Sequence, residues 1–270
     1  MHQRALVFLF GICLAGSIVG QTPQRATVIL GAGRAGSWDT RISITNTDAN
    51  PIAVLVTTQP DRSACVVAAC TDLAQATIPG QGTFVLPSIP DPLHPGVDPR
   101  PPISTSPQSM YVLSPADQKA PSVSAVAFDA ASSCGRMTTL QVLPFERAFN
   151  YGDIVFSGIS RGDGRYANLI LTLDPFATDV KSVGVGVADA NGSILWEQQF
   201  ELAPGVSIML VDVLAALGVE SLDGGSIRLS RFFIPNSYDF TKYTATVTMV
   251  EPDRVSTVNG TVDPLLDDSQ

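Results

Sequence analysis

The sequence predicts an all-β chain built from two tandem antiparallel β-sandwiches, Ig-like or jelly-roll-like, related by internal duplication. Three observations predict it. Apolar and polar residues alternate with period two through most of the chain after residue 25, as in Arg41-Ile42-Ser43-Ile44-Thr45 and Thr244-Ala245-Thr246-Val247-Thr248-Met249-Val250, which reads as strands covering a core on one side. Turn residues punctuate the alternation at Ala49-Asn50-Pro51, Pro79-Gly80, Asn191-Gly192, Pro204-Gly205 and Asp223-Gly224-Gly225. Landmarks also recur in the same order. The stretch from Gly36 through Trp38 to Ile42 matches that from Gly164 through Tyr166 to Ile170. Pro79-Gly80 before Thr83-Phe84-Val85-Leu86 matches Pro204-Gly205 before Ser207-Ile208-Met209-Leu210. Tyr111-Val112-Leu113-Ser114 matches Ile227-Arg228-Leu229-Ser230.

In chain order, residues 1–20 read as a secretory signal peptide: Arg4, an apolar run over 5–14, then small residues Ala15, Gly16, Ser17 and Gly20. Cleavage is expected near Gly20, with Ser17 as the alternative. The run falls short of the roughly 20 residues a membrane span needs. Phe10-Gly11-Ile12 before Cys13 lacks the small residue that a lipidation site places directly before its cysteine. The first sandwich is expected over 25–148, interrupted by a surface excursion over 87–107, because seven prolines in 87–102 cannot pair inside a sheet. The second is expected over 153–252, with its one helix over 211–218, N-capped by Asp212 and closed by Gly218. Residues 253–270 read as an acidic tail. No span is expected in the mature chain, which should be secreted, extracellular or periplasmic.

Export leaves Cys65, Cys70 and Cys134. The favoured disulfide joins Cys65 and Cys70, whose small loop would contribute on the order of 2 kcal/mol in the chain-entropy model; the competing reading pairs Cys134 with either. The formal charge of -9 offers no basic surface for phosphates, so nucleic acid is not expected as a partner. A zinc site is not expected where His94 is the sole mature histidine, and no cofactor is expected.

The series Gly36-Ser37-Trp38-Asp39-Thr40 with Ile44-Thr45-Asn46-Thr47, then Tyr166-Ala167-Asn168-Leu169, then Leu202-Ala203-Pro204-Gly205 with Asp212-Val213-Leu214 and Gly224-Gly225-Ser226-Ile227-Arg228-Leu229, resembles repeat modules in long secreted proteins of soil and environmental bacteria. The resemblance covers most of 27–250, and it departs from the pattern at the proline excursion and the insertion from Cys65 to Cys70. It implies a pair of β-sandwiches at or beyond the cell surface and brings no catalytic residue with it.

Individual motifs favour turns over chemistry. Gly31-Ala32-Gly33-Arg34-Ala35-Gly36 has dinucleotide-loop spacing, but the residues after it alternate where a helix is needed. Arg161-Gly162-Asp163-Gly164 and Asp189-Ala190-Asn191-Gly192 read as hairpin turns, the latter without the later glutamate of a calcium loop. Asn191 and Asn259 head formal glycosylation triplets in turn-like settings. A triad would need an imidazole base, and only His94 remains; paired carboxylates would suffice for a glycosidase, but the acids mostly sit beside Gly, Pro or Asn. An outer-membrane barrel is not expected, because the proline stretch interrupts the alternating strands and the sequence ends in Asp267-Asp268-Ser269-Gln270 rather than in a strand. The expected function is therefore a non-catalytic structural or interaction module with an unidentified protein or polysaccharide partner. The alternative is a carbohydrate-binding module presenting Trp38, Tyr166 and Trp196, whose rings could stack on sugars.

Overall fold

The computed structural model describes residues 24–34, 37–58, 60, 72–89, 103–104, 108–132, 135–149, 152–177, 179–231 and 242–262. The expected signal segment, Cys65, Cys70, Cys134 and His94 lie outside them, as do both the favoured disulfide and its alternative. The first half contains β1 (Gln24–Ala32), β2 (Trp38–Thr45), β3 (Ile52–Thr57), β4 (Asp72–Ile78), β5 (Thr83–Leu86), β6 (Ile103–Ser104), β7 (Gln108–Pro115), β8 (Ser122–Asp129), β9 (Met137–Thr139), β10 (Val142–Pro144) and the one-turn helix α1 (Phe145–Ala148). The second contains β11 (Ile154–Arg161), β12 (Tyr166–Leu173), β13 (Lys181–Ala188), β14 (Ile194–Leu202), β15 (Ser207–Leu210), α2 (Val213–Ala216), β16 (Leu222–Arg231), β17 (Tyr243–Val250), β18 (Val255–Val258) and β19 (Thr261–Val262).

The fold is all-β, with the strands in four antiparallel sheets. Their orders are β10-β1-β7-β3-β4 and β5-β2-β8-β9 in the first half, β14-β13-β16-β11-β19 and β18-β17-β12-β15-β6 in the second. Apart from β6, the halves share one strand order. They also share a bulge: Leu73 is the extra residue where β4 leaves register with β3, and Leu195 where β14 leaves register with β13.

Residue by residue, the correspondence is one position away from the landmark match. Ile42 pairs with Ala125 and Leu86, and Leu169 pairs with Val247 and Leu210, so Leu169, not Ile170, takes the place of Ile42. By the same step Arg165 matches Trp38, and Tyr166 matches Asp39. Side chains in a strand change face at every residue, so a slip of one exchanges core for exterior. Ile42, Ile44, Val54, Val56 and Val112 meet in the first core; Leu169, Leu171, Val185, Val187, Leu229 and Val247 meet in the second.

Three boundaries are corrected. Ile89, at the start of the expected surface excursion, is fully buried in the first core. At its other end, β6 pairs with Met209 and Leu210 and so completes a sheet of the second half. The expected tail begins too early, because Val255-Ser256-Thr257-Val258 pairs along Val247–Val250, and β19 adds to β11. Helix α2 stands where the sequence places it: the Asp212 carboxylate accepts from the Ala215 amide at 3.3 Å, and Gly218 has φ +75°.

Candidate functional site

The halves meet along a seam formed by the outer side of the β12 sheet. Val247 and Met249 of β17 point into the second core, while Thr246 beside them faces the seam, so β17 is buried on both sides. A hydroxyl cluster crosses the seam. The Ser109 amide donates to Ser207 Oγ at 3.0 Å, Ser109 Oγ donates to Thr172 Oγ1 at 3.0 Å, and Thr172 and Ser207 share a 2.7 Å bond. All three residues are buried, and satisfying one another removes most of the cost of burying hydroxyls. Thr138 and Thr257 share a hydrogen bond farther along, and Arg136 donates to the Pro252 carbonyl.

The glycine-rich motif serves this seam. Gly31 has φ +74° at the irregularity in β1, and a Cβ there would stand 2.9 Å from Ile170 Cδ1 and 3.2 Å from Thr246 Cγ2. Gly33 is held by Thr40, whose hydroxyl donates to the Gly33 carbonyl at 2.8 Å and accepts from its amide at 3.0 Å. Strand β2 follows directly, where a dinucleotide loop would begin a helix.

A cavity of about 90 Å³ opens beside these glycines, lined by Trp38, Asp39 and Thr40 from one half and Asn168, Ile170 and Met209 from the other. Drug-sized ligands occupy roughly 300 to 1,000 Å³, so this space suits a few waters. Its carboxylate is already engaged. Asp39 accepts from its neighbour Thr40's amide at 2.7 Å, from the Ile89 amide at 3.0 Å and from Ser88 Oγ, and so pins the chain after β5 onto β2.

Arg161, Asp212, Asp189 and Asp153 are likewise committed. Arg161 holds the Asp212 carboxylate in a fork, Nε to Oδ1 at 3.0 Å and Nη2 to Oδ2 at 3.1 Å, and also donates to the Glu220 carbonyl. Asp212 sits at φ 43°, and its amide donates to Asn168 Oδ1 at 3.0 Å. The tip Gly162-Asp163-Gly164-Arg165 is a two-residue hairpin turn with positive φ at Asp163 and Gly164, so the tripeptide's arginine is spent on α2. Asp189 accepts from the amides of Asn191 and Ser193 and closes the β13–β14 turn with the carboxylate of the calcium-like motif. Asp153 is buried against Arg228.

The three candidate aromatics do not share a surface. Trp38 is partly buried beside the cavity. Tyr166 lies on the same side of β12 as Asn168 and Ile170, and burial first, then the charge of Asp212, pushes its phenol up. Trp196 packs against the second core. Among the described residues, Phe176 is the one aromatic with a largely exposed side chain, and its ring meets Phe145 edge-on at 5.3 Å.

Sequence reasoning missed three parts of this arrangement. Asn46 is buried and donates to the Asn50, Ile78 and Pro79 carbonyls while accepting from the Asp48 amide; its setting among Thr and Asp hinted only at a turn. The seam hydroxyls looked like ordinary polar positions of alternating strands. Tyr111 is fully buried, and its hydroxyl has no hydrogen-bond partner among the described residues; burial, then Asp174, pushes its phenol far up. No protein-family model matches the chain, and comparison with curated proteins returns no match.

Proposed function

We propose that this chain is an exported, non-catalytic pair of β-sandwiches that acts as a structural or interaction module outside the cytoplasm, its halves descended from one duplicated unit. The observation that carries the reading is the employment of its polar groups. Asp39, Asp153, Asp212, Arg161 and Asn46 each bind the chain's own backbone or an opposite charge, and the cavity described above, at about 90 Å³, is small for an organic substrate. A reaction needs groups held in readiness for substrate, and these are occupied in holding turns and strands within each half.

The carbohydrate alternative has less behind it, since Trp38, Tyr166 and Trp196 point to two different interiors. The shared strand order and the matching bulges at Leu73 and Leu195 support the duplication. Cell fractionation with intact-mass measurement tests the reading: a product lacking about 20 N-terminal residues is expected in the periplasm or medium. An unprocessed chain confined to the cytoplasm would sink it.

A further inference from the structure

We propose that the edge of β14, which no strand among the described residues pairs, binds an extended cationic peptide segment as an added strand, the partner carrying Lys or Arg four residues apart. This rests on the interaction-module reading and names its partner chemistry. An edge strand presents unpaired backbone donors and acceptors, and proteins blunt such edges by shortness, bulges, proline or lysine. Most sheet edges here are short: β19 and β6 have two residues each, β10 and β9 three, β5 and β18 four. Strand β4 has seven, and β14 has nine.

Strand β14 also lacks the other protections along most of its length. Its bulge at Leu195 lies near the turn, and from Trp196 to Leu202 it keeps unbroken register with β13, with neither proline nor lysine. The outer side of this stretch is acidic. Glu197, Gln199 and Glu201 are exposed and stand opposite Gly186, Gly184 and Ser182, so small neighbours leave them open. Neither glutamate has an ion-pair partner among the described residues. The inner side carries Trp196 and Phe200, which pack on the second core, with the exposed amide of Gln198 between them.

An incoming strand would meet Glu197 and Glu201 with two cations separated by three residues, the middle one facing Gln199, and would turn apolar residues inward between them. Charge selects this occupant over a second copy of the chain, which carries a net -9 and would bring another pair of glutamates to the same edge.

The test uses the full mature chain with the peptide acetyl-SKVTVKS-amide, read by affinity and by amide hydrogen exchange. Binding with slowed exchange confined to β14 is expected. N-methylation of alternate peptide amides should weaken it at least about tenfold, because strand pairing is lost while charge is kept. The Glu197→Lys/Glu201→Lys variant, checked for fold by circular dichroism, should instead prefer the glutamate analogue of the peptide. Equal binding of the N-methylated peptide, protection elsewhere than β14, or no binding at any soluble concentration would overturn the proposal and leave the exported module standing. A chain that dimerises with its β14 amides already protected would also overturn it. An unprocessed cytoplasmic chain, by contrast, fails the wider reading without touching the peptide result.

Discussion

The β1 sheet and the β11 sheet have the same strand order and the same bulge, yet their outer faces have opposite fates. On the first, Val28, Leu30, Tyr111 and Leu113 form an apolar cluster with Ala148 and Phe149, covered by α1. On the second, the position matching Leu113 is Arg228, whose side chain is 60% exposed and holds Asp153, and the neighbouring strand contributes no side chain at Gly184 and Gly186. One scaffold thus carries a face that is closed by its own linker and a face that is open to solvent. The closed face is built from side chains one step away in register from the core, which only β-strands with apolar residues on both sides can supply.

The contrast is most severely tested by exchanging the two faces. Leu113→Arg places the open sheet's residue on the closed one, where a guanidinium would be buried among Val28, Leu30 and Phe149. Calorimetry should register a loss of about 4 kcal/mol, or roughly 10 °C in Tm. A loss below about 1 kcal/mol would mean that α1 does not seal this face. The reciprocal Arg228→Leu should cost less, about 2 kcal/mol, because it leaves Asp153 buried without its partner; adding Asp153→Asn should recover most of that.

A smaller effect is expected where the halves touch. Gly31→Ala introduces a Cβ at positive φ within 2.9 Å of Ile170 Cδ1, and should cost about 1 to 2 kcal/mol in a denaturant titration. If Ala is accepted without loss, the seam is looser than the contact implies.

The smallest change concerns Tyr111. Replacing it by Phe deletes a hydroxyl without a hydrogen-bond partner among the described residues, so stability near neutral pH should be unchanged or up to about 1 kcal/mol higher. The same variant should alter the alkaline limb. The folded-state phenol is raised above its unfolded value of about 10, so its contribution is complete below that pH and is lost as pH rises beyond it, by about 1.4 kcal/mol per unit. Tyr111→Phe should therefore show a shallower fall above pH 10, and an identical slope in both proteins would show that this phenol ionises in the folded state as freely as in the unfolded one.

Strand positions and turns were legible in the sequence because alternation and Gly, Pro or Asn act locally. Asn191-Gly192, Pro204-Gly205 and the Asp212 cap all lie where their chemistry places them. Faces were harder, because a run such as Leu169-Ile170-Leu171 is apolar on both sides and fixes no register; hence the one-residue slip that likened Trp38 to Tyr166. The seam was not legible, since Ser109, Thr172 and Ser207 gain meaning only once distant strands meet. Nor was the tail, because Val255-Ser256-Thr257-Val258 lacks period-two alternation and is too short to stand out from the acids beyond residue 262.

Strand β6 imposes an order in time. Its partner residues Met209 and Leu210 leave the ribosome more than 100 residues after Ile103 and Ser104, which at 5 to 20 residues per second is a delay on the order of 5 to 20 s. The second sandwich therefore closes its sheet on a strand laid down long before. A fragment made from the second half alone would be born with β15 as its edge, as β5 is in the first half.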